Sequence, residues 1–215
     1  MEKELLLFDL DGTLIDSSED IAWVANQTLS DMDYAERDHE EIKSYIGWGI
    51  SMLLMRLMPD LSDDELETAR GRFLDYYATH FTVDTAPYDG VMETLDHFKA
   101  MGKEMGVVTN KPVSLSKAIL SELYMAGYFK LVLGGDSLEE RKPHPAQLLY
   151  AMDELCFTPE ETVYVGDCSV DYEAGKRAEV TTIGATYGFR GKEELVKAGA
   201  IILIDSFSEL TGIID

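Results

Sequence analysis

The chain has 215 residues, 46% of them apolar, enough for one large domain or for a core with a smaller attachment. Its 41 acidic residues against 18 Lys and Arg give a formal charge of −23, which argues against nucleic acid and anionic membrane surfaces as partners. An anionic substrate would have to be met by locally gathered cations or by a metal. The opening Met1-Glu2-Lys3-Glu4 lacks the basic region of a signal peptide, no run reaches membrane-spanning length, and two cysteines without a Cys-x-x-Cys suit a reducing cytoplasm. Cys156, between Leu155 and Phe157, is expected in the core.

Leu5-Leu6-Leu7-Phe8 reads as a buried strand, and Gly12 lets the chain turn away just beyond it. Asp9 and Asp11 therefore share a sheet edge. Adjacent like charges are costly to desolvate, so a bound cation or a shared proton is expected between them. From about Asp16 to Ala86 only helical periodicity appears. Asp16-Ser17-Ser18 offers an N-cap, Tyr45-Ile46-Gly47-Trp48-Gly49 interrupts the helices, Pro59 ends a segment, and Ser62-Asp63-Asp64-Glu65 has the form of a capping box.

After Pro87 helix and strand alternate. Helices are expected at Val91–Ala100, Ser114–Tyr124, Pro145–Leu155 and Ser169–Ala178. Strands are expected at Met105–Thr109, Leu131–Leu133, Thr162–Val165, Val180–Gly184 and Ile201–Ile204. Short apolar strands between helices imply a doubly wound parallel α/β sheet, residues 1–15 and 87–215, with a helical insertion over residues 16–86.

Ligands of such sheets bind beyond the C-terminal strand ends. Three further segments carry suitable groups there. Thr109-Asn110-Lys111-Pro112 ends a strand with a hydroxyl, an amide and backbone N–H groups, which suit phosphate oxygens but equally suit a helix cap. Lys142, between Arg141 and Pro143, is a cation fit for an oxyanion or a carboxylate pair, or simply a surface lysine. Gly166-Asp167 ends another strand, and Asp171 follows one helical turn on. With Asp9 and Asp11, these acids supply the hard oxygen ligands that Mg²⁺ prefers. Cys168 lies among carboxylates that raise a thiol's pKa, which excludes it as a nucleophile.

The ordered set Asp9-Leu10-Asp11-Gly12-Thr13, Thr109-Asn110, Lys142-Pro143 and Gly166-Asp167…Asp171 resembles the haloacid dehalogenase superfamily of phosphohydrolases. The helical insertion looks like that family's small cap. Val108-Thr109-Asn110-Lys111-Pro112, Lys142-Pro143-His144-Pro145, Ala185-Thr186-Tyr187-Gly188 and Ile46-Gly47-Trp48-Gly49 look like its phosphoglycolate phosphatase branch, although pyrophosphatases and sugar-phosphate phosphatases share much of this. The branch commonly has Ser and Asn where this chain has Cys168 and Val170.

The resemblance implies Asp9 as nucleophile and Asp11 as general acid and base. It implies Thr109, the Asn110 backbone and Lys142 as phosphoryl contacts, and Mg²⁺ held by Asp9, Asp11, Asp167 and Asp171. Trp48 is the expected cap contact with a small phosphorylated metabolite, and the state is monomer or homodimer. Arg56 is a surface candidate for a substrate carboxylate, and His144 is structural. A haloalkanoic acid dehalogenase would leave Asp11 without a task. A phosphomutase would retain the phosphoryl group, and a silent phosphate sensor would bind Mg²⁺ without turnover.

Overall fold

The computed structural model describes residues 1–215. Its centre is β1, Leu5–Phe8, whose four side chains are fully buried because both faces of the strand are covered. Leu6 and Phe8 join a cluster with Val91, Leu95 and Phe98, whereas Leu5 and Leu7 join Leu148, Met152 and Ala174 on the opposite face. This strict alternation within an all-apolar run is what a parallel sheet wrapped on both sides produces.

Beyond β1 a two-stranded ribbon pairs β2, Ile15–Asp16, with β3, Ala86–Pro87, and brings the two ends of the helical insertion together. Between them run α1, Ser18–Asp31; α2, His39–Lys43; α3, Ile50–Leu57; and α4, Asp63–Tyr77. Ile21, Val24, Leu54 and Phe73 anchor their own apolar cluster. The chain then forms α5, Val91–Ala100; β4, Glu104–Val108; α6, Val113–Glu122; β5, Leu131–Leu133; and α7, Ala146–Leu155. It closes with β6, Thr162–Gly166; α8, Ser169–Arg177; β7, Thr181–Ala185; α9, Gly191–Ala198; and β8, Ile202–Ile204.

The six long strands are parallel in the order β5-β4-β1-β6-β7-β8. The path moves outward from β1 to β5, then returns to the other side of β1 and moves outward again. The reversal makes β1/β6 the switch point, where a crevice opens past the strand ends. The doubly wound α/β core with an inserted helical cap is therefore as the sequence reading describes, with strand bounds within a residue or two. No helix is long and apolar enough to cross a membrane.

Four local details differ from expectation. Cys156 is exposed, because it ends α7 in the left-handed region at φ 62° and its side chain leaves the core that Leu155 and Phe157 flank. The segment 16–86, where the sequence shows only helical periodicity, starts and ends in the two-residue ribbon strands. Helices α2 and α9 form where the sequence pattern marks no distinct element. At the start of α1 the acceptor for the Ser18 N–H is Asp16 Oδ1, at 3.0 Å, while the Ser17 hydroxyl turns away from the helix. The capping box of α4 forms as expected, with the Ser62 N–H on Glu65 at 2.9 Å.

Candidate active site

Three neighbouring strand ends carry the candidate groups. Asp9 follows β1, Thr109 follows β4 and Asp167 follows β6, and the register sets Phe8 beside Val107 on one side and Val165 on the other. All three residues are buried, at 2–3% exposure. Asp9 is fixed by its own N–H, which donates to the Val165 carbonyl at 2.9 Å.

Lys142 reaches this edge from the loop before α7 and is wholly enclosed. Its ammonium donates to Asp9 Oδ1 at 2.8 Å, Asp171 Oδ1 at 2.7 Å, Tyr164 Oη at 2.8 Å and the Val108 carbonyl at 3.0 Å. Burial alone would lower its pKa, but Asp171 and Asp9 outweigh that and raise it, so the lysine stays charged. Asp9 is pushed up to about 7, first by burial and then by Asp171, with Lys142 pulling the other way. Asp167 is also raised well above the usual carboxylate range, by burial and then by Asp171 and Asp9.

Asp167 fits into a slot without side chains. A Cβ on Gly12 would lie 2.4 Å from Asp167 Oδ2, and one on Gly188 would lie 2.3 Å from Asp167 Cβ. Gly12 moreover has φ +85°, so only glycine suits this turn. Asp167 Oδ2 accepts from the Phe189 N–H at 2.7 Å. Asp171 has protein donors on both oxygens: Lys142 and Tyr164 on Oδ1, and the Cys168 N–H at 3.2 Å and thiol at 2.9 Å on Oδ2. Cys168 thus donates to Asp171. Burial, then Asp171 and Asp167, keep its thiol protonated, consistent with its exclusion as a nucleophile.

Four carboxylates, those of Asp9, Asp11, Asp167 and Asp171, face two ammonium groups, Lys111 and Lys142, with the Arg190 guanidinium acting on Asp167 as a third cation. The raised values at Asp9 and Asp167 come first from burial and then from this crowding of negative charge. An all-oxygen donor set with uncompensated charge fits a hard divalent cation such as Mg²⁺.

Asp11 accepts from the Ser17 hydroxyl at 2.6 Å and from Lys111 Nζ at 2.8 and 3.1 Å, and Lys111 also contacts the hydroxyl of Tyr77, the last residue of α4. Lys111 was not singled out as a site residue by the sequence reading. The one cue to it is its place directly after Thr109-Asn110, ahead of the helix-starting Pro112.

The cap is tied across the cleft. Asn110 Nδ2 donates to the carbonyls of Gly47 and Lys142, each at 3.0 Å, and Arg190 donates to the Ile46 carbonyl at 2.7 Å. A cavity of about 40 Å³ remains between cap and core, lined by Asp9, Asp11, Thr109, Asn110 and Lys111 below and by apolar cap side chains above. Gly47 and Gly49 line it but Trp48 does not; its ring lies beneath the exposed Arg56 guanidinium, 5.5 Å from centroid to Cζ. His144 is likewise remote from the chemistry and accepts the Ala146 N–H at 3.2 Å.

Residues 6–185 match the family model described as haloacid dehalogenase-like hydrolase. Among curated proteins, the phosphoglycolate phosphatase of Colwellia psychrerythraea is 38% identical over 97% of this chain and 96% of its own length. That of Aquifex aeolicus is 40% identical over 86% and 85%. A solved structure of a predicted phosphoglycolate phosphatase from Haemophilus somnus superposes with a TM-score of 0.94 at 31% identity, covering 99% of this chain and 98% of that one. Family match, full-length relatives and a shared architecture agree: the chain belongs to the haloacid dehalogenase-like hydrolases, as one of their phosphatases.

Proposed function

We propose that the chain hydrolyses a small carboxylated phosphomonoester, 2-phosphoglycolate foremost, through a phosphoryl group carried on Asp9. One observation carries the reading: Asp9, Thr109 and Asp167 converge at a single sheet edge with Lys142 bridging Asp9 and Asp171 beneath them. Lys142 occupies Asp9 Oδ1 and so leaves Oδ2 to attack phosphorus. The bond from phosphorus to the ester oxygen breaks as Asp11 gives that oxygen a proton. Asp11 then takes a proton from water, which attacks the phosphorus on Asp9, releases inorganic phosphate and restores the carboxylate.

The Thr109 hydroxyl and the Asn110 N–H, which has no protein acceptor, suit the phosphoryl oxygens, while Lys142 offsets charge on Asp9. Asp9, Asp167 and the Asp11 carbonyl would hold Mg²⁺, with Asp171 acting on it through Lys142 and Cys168. The bound ion would supply charge neutralisation for the transferring group. The cap, taken as residues 16–86, excludes water over the cleft.

Phosphate release from a panel of phosphomonoesters, with Mg²⁺ and with EDTA, tests the reading. The expected result is release that needs Mg²⁺, is fastest with 2-phosphoglycolate, and disappears in Asp9→Asn. Undiminished turnover in that variant would remove Asp9 from its role.

A further inference from the structure

We propose that Lys111, braced by Tyr77, receives the carboxylate of the leaving group and thereby sets the preference among small esters; this rests on the hydrolase reading above. Lys111 is the only cation lining the cleft. Lys142 is turned away beneath Asp9 with four protein acceptors, and Arg56 lies exposed outside the cavity. The cap contributes Ile21, Ile46, Ile50, Leu53 and Phe73, none of which can pair with a charge. Lys111 is thus the one charged side chain on the cavity wall itself that can meet a second negative charge, with Arg141 behind Gly49 and Arg190 held on the Ile46 carbonyl just outside it, and an unmet anion would be desolvated among carboxylates and apolar groups.

The position of Lys111 matches the chemistry of the ester. Its ammonium touches both oxygens of Asp11, the group assigned to protonate the leaving oxygen. In 2-phosphoglycolate the carboxylate hangs on the very carbon that bears that oxygen. When the ester oxygen stands at Asp11, the carboxylate falls beside the ammonium that touches Asp11. Lys111 exchanges an acceptor from the protein for one from the substrate, and Tyr77 holds the stem of the exchange in place. Burial, and then Asp11, raise the Tyr77 phenol well above its ordinary value, so it remains a neutral hydrogen-bonding hydroxyl. Because Tyr77 ends α4, recognition of the carboxylate also engages the cap.

A two-by-two comparison separates this role from one of merely holding Asp11. The esters are 2-phosphoglycolate and 2-hydroxyethyl phosphate, which carries a neutral hydroxymethyl group in place of the carboxylate. The enzymes are wild type and Lys111→Met, each assayed for kcat/KM with Mg²⁺. Wild type is expected to favour the carboxylated ester, and Lys111→Met to lose roughly 10- to 100-fold of that ratio, the size expected for a charge-assisted contact. Equal slowing of both esters would overturn the proposal and leave Lys111 as a brace for Asp11, and so would a wild type with no preference. Wild type inert towards both esters would instead refute the reading of 2-phosphoglycolate as the substrate on which the proposal rests. If Lys111→Met does not fold, Tyr77→Phe carries the test: it keeps the buried ring, and a several-fold drop in the same ratio is expected, with an unaltered ratio counting against the proposal.

Discussion

Asp9 carries a penalty that depends on pH. An unfolded Asp loses its proton near ~3.9, whereas burial and then Asp171 push Asp9 up to about 7. Between those values the folded protein binds the extra proton, so the metal-free fold loses stability as pH rises through that window, by up to about 4 kcal/mol once it is passed. A divalent cation held by the carboxylates would relieve this cost. Mg²⁺ should therefore raise the melting temperature by several degrees more at pH 8 than at pH 5.5. Asp9→Asn should melt higher than wild type at pH 8 without metal, and respond less to Mg²⁺. Equal Mg²⁺ shifts at both pH values in wild type would mean that Asp9 does not contribute to the ion's affinity. The acids were legible in the sequence because Asp9 and Asp167 stand directly after apolar strands, Asp11 lies two residues past Asp9, and Asp171 is in the first turn of a helix. Lys111 was not, since its partners Asp11 and Tyr77 lie 100 and 34 residues away. Trp48 drew notice as an aromatic between glycines, yet it is the small Gly47 and Gly49 that reach the cavity.

Helical periodicity over long segments read correctly because each helix buries one face, as α1 does with Ile21, Val24, Ala25 and Leu29. The ribbon of β2 and β3 gave no such signal, since two residues hold no period and their pairing joins positions about seventy residues apart. What holds the return path of the cap is also invisible locally. Asp20, in the first turn of α1 and fully buried, accepts from the N–H groups of Val83, Asp84 and Thr85 at 2.9–3.2 Å and from the Thr85 hydroxyl at 2.6 Å. His80 adds a contact at 3.4 Å and stacks on Trp23. Asp20→Ala would leave those backbone donors without their acceptor in the segment that leads into β3. A loss of about 3 kcal/mol is expected from urea unfolding, because bonds to a buried charge are the costly ones to delete. An unchanged midpoint would show that the ribbon alone holds the return segment.

A net charge of −23 surrounds a cleft proposed to take an anionic phosphate ester, and the charge and the cleft act over different distances. Lys111 and Lys142 lie within 3.1 Å of the carboxylates they serve, so their influence is confined to the cleft. At long range an approaching phosphate ester meets the field of the whole chain, which repels it. The reach of that field is set by salt, about 30 Å at 0.01 M and about 8 Å at 0.15 M. Enzymes that steer their substrate electrostatically slow as salt rises; this one should do the opposite. With Mg²⁺ held saturating, kcat/KM for 2-phosphoglycolate should increase between 0.01 and about 0.15 M of an inert salt, while kcat, measured after the substrate has crossed the outer field, should change little. A fall in kcat/KM over the same range would mean that the cations at the cleft, with the metal, govern approach as well as chemistry, and that the acidic surface faces elsewhere.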